Sequence, residues 1–150
     1  RDGGDRTPRA SDPDAFLFAE PYRIDMNYQP GVCNIGPAQQ RRRLLLGVGS
    51  LVAAVALVGA TFALSWPRLV LLASVFPLYG AAIGVIQYRE RFCIGFAGIG
   101  VFDVGDGTSE VADEAALAAD REKAVRLNLK AVAVAVPVAL AVYAVAVFVA

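Results

Sequence analysis

Polar and apolar positions are segregated into blocks along this chain. Residues 44–66 carry no charged side chain over 23 positions, residues 69–88 none over 20, and residues 131–150 none over another 20. A bilayer core about 30 Å thick is crossed by roughly 20 helical residues rising 1.5 Å each. Each run therefore predicts a transmembrane helix. The third opens as Ala-Val-Ala-Val-Ala-Val at 131–136, the alternation of a β-strand. Both faces of such a strand would be apolar, and a lone strand in lipid leaves its backbone groups unpaired. A helix is expected there despite Pro137. The pattern as a whole predicts an all-α membrane protein with three transmembrane helices and a cytoplasmic loop and helix between the second and third.

The remaining segments differ in kind. Over residues 1–27, Asp2, Asp5, Asp12, Asp14, Glu20 and Asp25 alternate with Arg1, Arg6, Arg9 and Arg23 among Gly and Pro. A segment so poor in apolar residues does not offset its ordering entropy, and a disordered cytoplasmic tail is expected. It has no apolar core of a signal peptide. Arg1 opens the sequence and Met26 is its only methionine, so either the chain is a fragment or Met26 is a start preceded by an extension. Residues 28–150 are then the three-helix domain, with 89–130 as its cytoplasmic segment. Within it, residues 92–102 are apolar but too short to span; they extend the second helix, lie in the interface or form a hairpin-like turn. Residues 103–109 read as a Gly- and Asp-rich loop. From about residue 110 to 130 a helix is expected, acidic at its start (Asp113, Glu114) and basic at its end (Lys123, Arg126, Lys130), which suits the helix dipole. Leu117, Ala124, Val125 and Leu129 would line its apolar face, and it can run on into the third span.

Composition narrows the function. The chain is 57% hydrophobic and 19% charged, with 14 basic residues against 14 acidic. A net charge of zero gives no electrostatic footing for nucleic acid. The absence of histidine removes Ser-His-Asp and Cys-His catalysis and His-ligated zinc. Resolved by position, the charges orient the protein. Arg41, Arg42 and Arg43 precede the first span, Arg89 and Arg91 follow the second, and Arg121, Lys123, Arg126 and Lys130 precede the third, while Arg68 alone lies between spans one and two. The positive-inside rule puts the N-terminus and 89–130 in the cytoplasm and the C-terminus outside, in the cell (inner) membrane. Trp66 and Tyr88 suit the two interfaces. Inside the spans the polar side chains are Ser50, Thr61, Ser65, Ser74, Tyr79, Gln87 and Tyr143. With no intramembrane acid or base, a coupled ion transporter is not expected.

Candidate chemistry is sparse. Cys33 and Cys93 both fall at the cytoplasmic boundary, where they are either a redox or sensing thiol pair or two reduced, half-buried side chains. Asp103 or Asp106 could add oxygen ligands, but two thiols without histidine do not complete a metal site, and no metal or cofactor is expected. Gly95, Gly98 and Gly100 lack the order of a dinucleotide-binding loop. Gly80 and Gly84 form a GxxxG in the second span; with Gly47, Gly49 and Gly59 it serves packing between the three helices or association of copies. Pro77 and Pro137, near the middle of their spans, are expected to kink them.

The segment at 33–37, Cys-Asn-Ile-Gly-Pro, implies a defined turn ahead of Arg41, Arg42 and Arg43. Together with Arg-Phe-Cys at 91–93 and Gly-Val-Phe at 100–102, it resembles a set of small prokaryotic three-span membrane proteins that carry these segments before the first span and after the second. The resemblance covers about residues 28–130, and implies the three-span layout and spatially related cysteines. It brings no activity. The function expected is that of a non-enzymatic accessory or interaction subunit, docking a protein partner through Cys33, Asn34, Gly36, Arg89, Arg91, Cys93 and Phe102, with association of copies left to the GxxxG. Arg89 and Arg91 serve equally well against lipid headgroups. The alternative is a thiol redox or thiol-sensing protein using Cys33 and Cys93.

Overall fold

The structure, a computed structural model, describes residues 28–105 and 107–149. The tail expected over 1–27, with Met26, lies outside the described residues, as does Asp106. Helix α1 spans Pro37–Ala63; a 3-10 turn over Arg68–Ser74 leads into α2, Val75–Glu90; a short α3, Ile94–Ile99, precedes strands β1, Val101–Phe102, and β2, Ser109–Glu110; α4 is Glu114–Val149. Pro37–Ala63, Arg68–Glu90 and Glu114–Phe148 are each long and apolar enough to cross a membrane. This is an all-α, multi-pass architecture with one small sheet.

Local chemistry sets the boundaries. Gly36 is extended and Pro37, which has no N–H to satisfy, occupies the first turn of α1. Arg41, Arg42 and Arg43 near that end oppose the helix dipole rather than support it, so proline and bilayer, not charge, fix this start. Pro77 is the third residue of α2, where a missing N–H forfeits no helical bond. The second span changes from 3-10 to α geometry at Val75, two residues before this proline. Pro137, by contrast, lies inside the 36-residue α4. That helix is about 54 Å long, so its first half projects beyond a bilayer core of about 30 Å.

Helix α2 is central, packing on both α1 and α4, which make no comparable contact with each other. Against α1 the backbones meet: a Cβ placed on Gly84 would stand 2.5 Å from the Gly47 Cα, and one on Gly80 2.6 Å from the Ser50 Oγ. Against α4 the seam is an alanine stripe. Ala131, Ala135, Ala139 and Ala146 are buried, while Val132, Val134, Val136 and Val138 face outward. The strand-like alternation is thus a helix in which every fourth residue, an alanine, turns inward while the valines and Ala133 face outward. Ahead of the span, the buried positions of α4 are Ala116, Asp120 and Leu127; of the apolar face expected to meet either the membrane surface or the other helices, Leu117 and Ala124 are half-buried and Val125 and Leu129 exposed. Ile83, Phe92, Ala97, Leu127 and Ala131 form the core, at the end of the bundle where α1 begins and α2 finishes.

Residues 92–102 adopt a structure of their own. Phe92 and Cys93 are buried, α3 follows, and Gly100, at φ 75°, turns the chain into β1. β1 pairs antiparallel with β2, Val101 opposite Glu110 and Phe102 opposite Ser109.

Candidate functional site at the basic end of the bundle

The residues before α1, after α2 and before the membrane-embedded part of α4 converge in one polar knot. Its centre is Asn34, which is wholly buried. The Asn34 Nδ2 donates to the Cys93 carbonyl at 3.1 Å, and the Cys93 N–H donates to the Asn34 Oδ1 at 2.6 Å. A carboxamide presents the same donor–acceptor pair as a peptide group, so Asn34 pairs with Cys93 as a neighbouring strand would. Its backbone is used as well. The Asn34 and Ile35 N–H groups donate to the Arg91 carbonyl at 3.2 and 3.4 Å, and the Asp103 N–H donates to the Asn34 carbonyl at 2.9 Å. Arg91 adopts a left-handed conformation, φ 51°, at the C-cap of α2. Gly36 then donates to the Asp103 carbonyl at 2.7 Å and passes so close to Val104 that a Cβ would lie 2.7 Å from its backbone carbonyl. No side chain fits there.

A second set of bonds ties the chain before Asn34 to α4. Asp120 is wholly buried, accepting from the Tyr28 hydroxyl at 3.0 Å and from the Gly31 N–H at 2.6 Å. Gly31, at φ 66°, supplies the positive φ of a turn closed between Gln29 and Cys33. The Tyr28 ring stacks on Phe102 at 4.3 Å. Lys123 donates to the Val32 carbonyl at 2.7 Å, pairs with Glu90 at 3.2 Å and lies 5.0 Å from the centre of the Phe92 ring. Gln87, buried at the end of α2, accepts from the Ile94 N–H at 3.2 Å. Gln39 donates to the Asp103 carboxylate and Gln40 to the Tyr88 carbonyl, each at 2.8 Å.

Burial first, then the hydrogen bond to Asp120 and the charges of Asp120 and Asp113, push the Tyr28 phenol above its ordinary value near 10. A phenol that holds its proton more tightly in the folded state contributes stability in full below about pH 10 and loses it as the pH rises past that value. Amide exchange over residues 28–33, corrected for its intrinsic pH dependence, is therefore expected to accelerate above about pH 10. In Tyr28→Phe this step disappears, at the cost of a looser turn at every pH.

The side chains singled out in the sequence divide by direction. Asn34, Gly36 and Cys93 point into the knot and are buried; Phe102 is half-buried under Tyr28; Arg89 and Arg91 are exposed. The Cys93 Sγ accepts from the Phe96 N–H at 3.5 Å and so caps α3. Cys33 is half-buried and Cys93 buried. Gly80 and Gly84 belong to the α1–α2 seam. Among the described residues no group of three or more Cys, Asp or Glu is arranged to hold a metal ion. Tyr28, Gln87, Asp120 and Lys123 were not singled out. For Asp120 a signal existed, since it falls on the helical register Asp120, Ala124, Leu127, Ala131, where a carboxylate needs a partner. Comparison with protein families, with curated proteins and with solved structures finds no match to the chain.

Proposed function

We propose that this chain is a non-enzymatic accessory subunit of a membrane assembly, seated in the cell membrane with its basic end in the cytoplasm and its C-terminus outside. The nine cations flanking that end, against Arg68 at the other, support the orientation. One observation carries the functional reading: the buried polar groups of the knot are spent on internal bonds. Asn34, Gln87, Cys93 and Asp120 each hold a partner within the fold. What is left to act is surface. The tight turn before Asn34 holds Val32 out at 54% exposure, on a base fixed by Lys123 and Asp120, and such a rigid apolar tip suits a protein partner. A photoreactive residue at Val32 is expected to give one discrete heterologous protein adduct in cells, while the same probe at Phe76, 76% exposed among the spans, gives lipid. Only lipid or self adducts from Val32 would sink the reading.

A thiol-sensing role is the second reading, favoured by the Asn34–Cys93 pairing, which brings the backbone beside Cys33 against Cys93. Serine still caps α3, so a loss of function shared by Cys33→Ser and Cys93→Ser would report thiol chemistry rather than packing.

A further inference from the structure

Because α1 and α4 flank α2 without closing on each other, a strip of α2 stays open between them. It forms the floor of an apolar groove of about 380 Å³, lined among others by Leu51 of α1, Ala82 and Val85 of α2, and Val134 and Val138 of α4. Followed toward the basic end, each helix finishes its side of this groove with a cation. Arg89 comes one turn after Val85 on the same face of α2, and Lys130 one turn before Val134 on α4. Arg41 continues the α1 stripe that runs through Leu51, Val48 and Leu44. All three cations are exposed. Lys130 has only a 4.0 Å approach to Glu90, which Lys123 already holds at 3.2 Å. Arg126, by contrast, is paired with Glu122 at 2.7 Å. Side chains on α4 lean toward its N-terminus, which carries the Lys130 ammonium toward the headgroup layer.

We propose that the groove is a binding site for one anionic phospholipid, an acyl chain lying along the apolar strip and the phosphate held by Arg41, Arg89 and Lys130. Charge decides among the occupants. A second copy docking by two-fold symmetry within one membrane would bring its own Arg41, Arg89 and Lys130 against these at the same depth, and like charges facing each other are penalised. A zwitterionic lipid offers the same chain but no net charge to balance three cations. An anionic lipid satisfies both halves of the site.

The test is native mass spectrometry of the full chain in mild detergent, titrated with phosphatidylglycerol or phosphatidylcholine. One phosphatidylglycerol should be retained in preference to phosphatidylcholine. Arg41→Gln, Arg89→Gln and Lys130→Gln should each weaken its retention about fivefold, whereas Arg68→Gln, at the far end, should not. Val85→Trp, filling the groove from a position already 41% exposed, should weaken both lipids. Equal retention of the two lipids, or glutamine variants that bind as the parent does, would overturn the proposal. So would a photoreactive residue at Val85 that links chain to chain instead of chain to lipid.

Discussion

Asn34→Leu is expected to open the knot at the basic end while leaving the three spans helical. Leucine has the same heavy-atom skeleton but more bulk, so no cavity opens; the cost comes from unmade bonds, with some overpacking added. The Cys93 N–H and carbonyl, which Asn34 satisfies at 2.6 and 3.1 Å, would both be left buried without partners. Each such group costs about 1–3 kcal/mol, so the cap should lose about 2–6 kcal/mol. The loss falls on a local unit, because the spans are held by their own seams. Hydrogen exchange of the chain in micelles should then show the Asn34, Cys93 and Asp103 amides exchanging about thirtyfold faster or more, with Leu51–Val58 and Val132–Ala139 unchanged. Asn34→Asp separates the two bonds. It keeps an acceptor for the Cys93 N–H, loses the donor to the carbonyl, and puts a carboxylate where no solvent reaches; it should be at least as damaging at neutral pH and recover partly in acid. Unaltered protection in both variants would mean that the knot is held by its backbone bonds alone.

The spans were legible because length and freedom from charge are one-dimensional properties of a sequence. How the spans turn was not. In the span part of α4 the buried positions are alanines and the exposed ones mostly valines, all apolar, so hydropathy barely distinguishes its faces; Ala133 and Ala141 are exposed too, so residue size alone does not mark the inward face. Over residues 69–74 the run is likewise almost uniformly apolar, and a period of 3.0 cannot be told from 3.6 when nearly every position is hydrophobic. In the knot, the Gly and Pro around Asn34 announced a fixed turn, but not its partner. Asn34 and Cys93 lie 59 residues apart, and no periodicity links them. The same limit explains why Asn34, Gly36 and Cys93 read as docking residues. An unusual cluster shows that a position is constrained; whether the constraint comes from inside or outside the fold is visible only once the backbone is placed. The register of Asp120 shows that it turns inward, but not that its partners Tyr28 and Gly31 lie 92 and 89 residues away.

The glycines of the α1–α2 seam should show a graded response that separates packing within the chain from association of chains. A methyl at Gly84 would meet the Gly47 Cα at 2.5 Å, the Gly47 N at 2.7 Å and the Arg43 carbonyl oxygen at 2.8 Å. All three are backbone atoms, and no rotamer change relieves them. Ordinary carbon contacts begin near 3.5 Å, so α1 must retreat by about 1 Å along the stretch where two backbones touch. Lipid supplies no hydrophobic force to hold the helices together, and the lost dispersion contacts are the main attraction between them. Gly84→Ala is expected to cost about 1–3 kcal/mol, and Gly84→Val more, read as a lower denaturation midpoint in bicelles. Gly80→Ala should cost less, because its shortest contact, 2.6 Å, is with the Ser50 hydroxyl, which can turn away, leaving the Ser50 Cβ at 3.0 Å to give by a few tenths of an ångström. Gly49→Ala and Gly59→Ala, with nothing within 4 Å, should be neutral or stabilise by up to about 1 kcal/mol through helix propensity. If the GxxxG instead joins two copies, the order changes. Gly84→Ala would then abolish a concentration-dependent dimer and leave the monomer's midpoint untouched. Since Gly84 already has the Gly47 backbone against it, the monomer's midpoint is where the loss should fall.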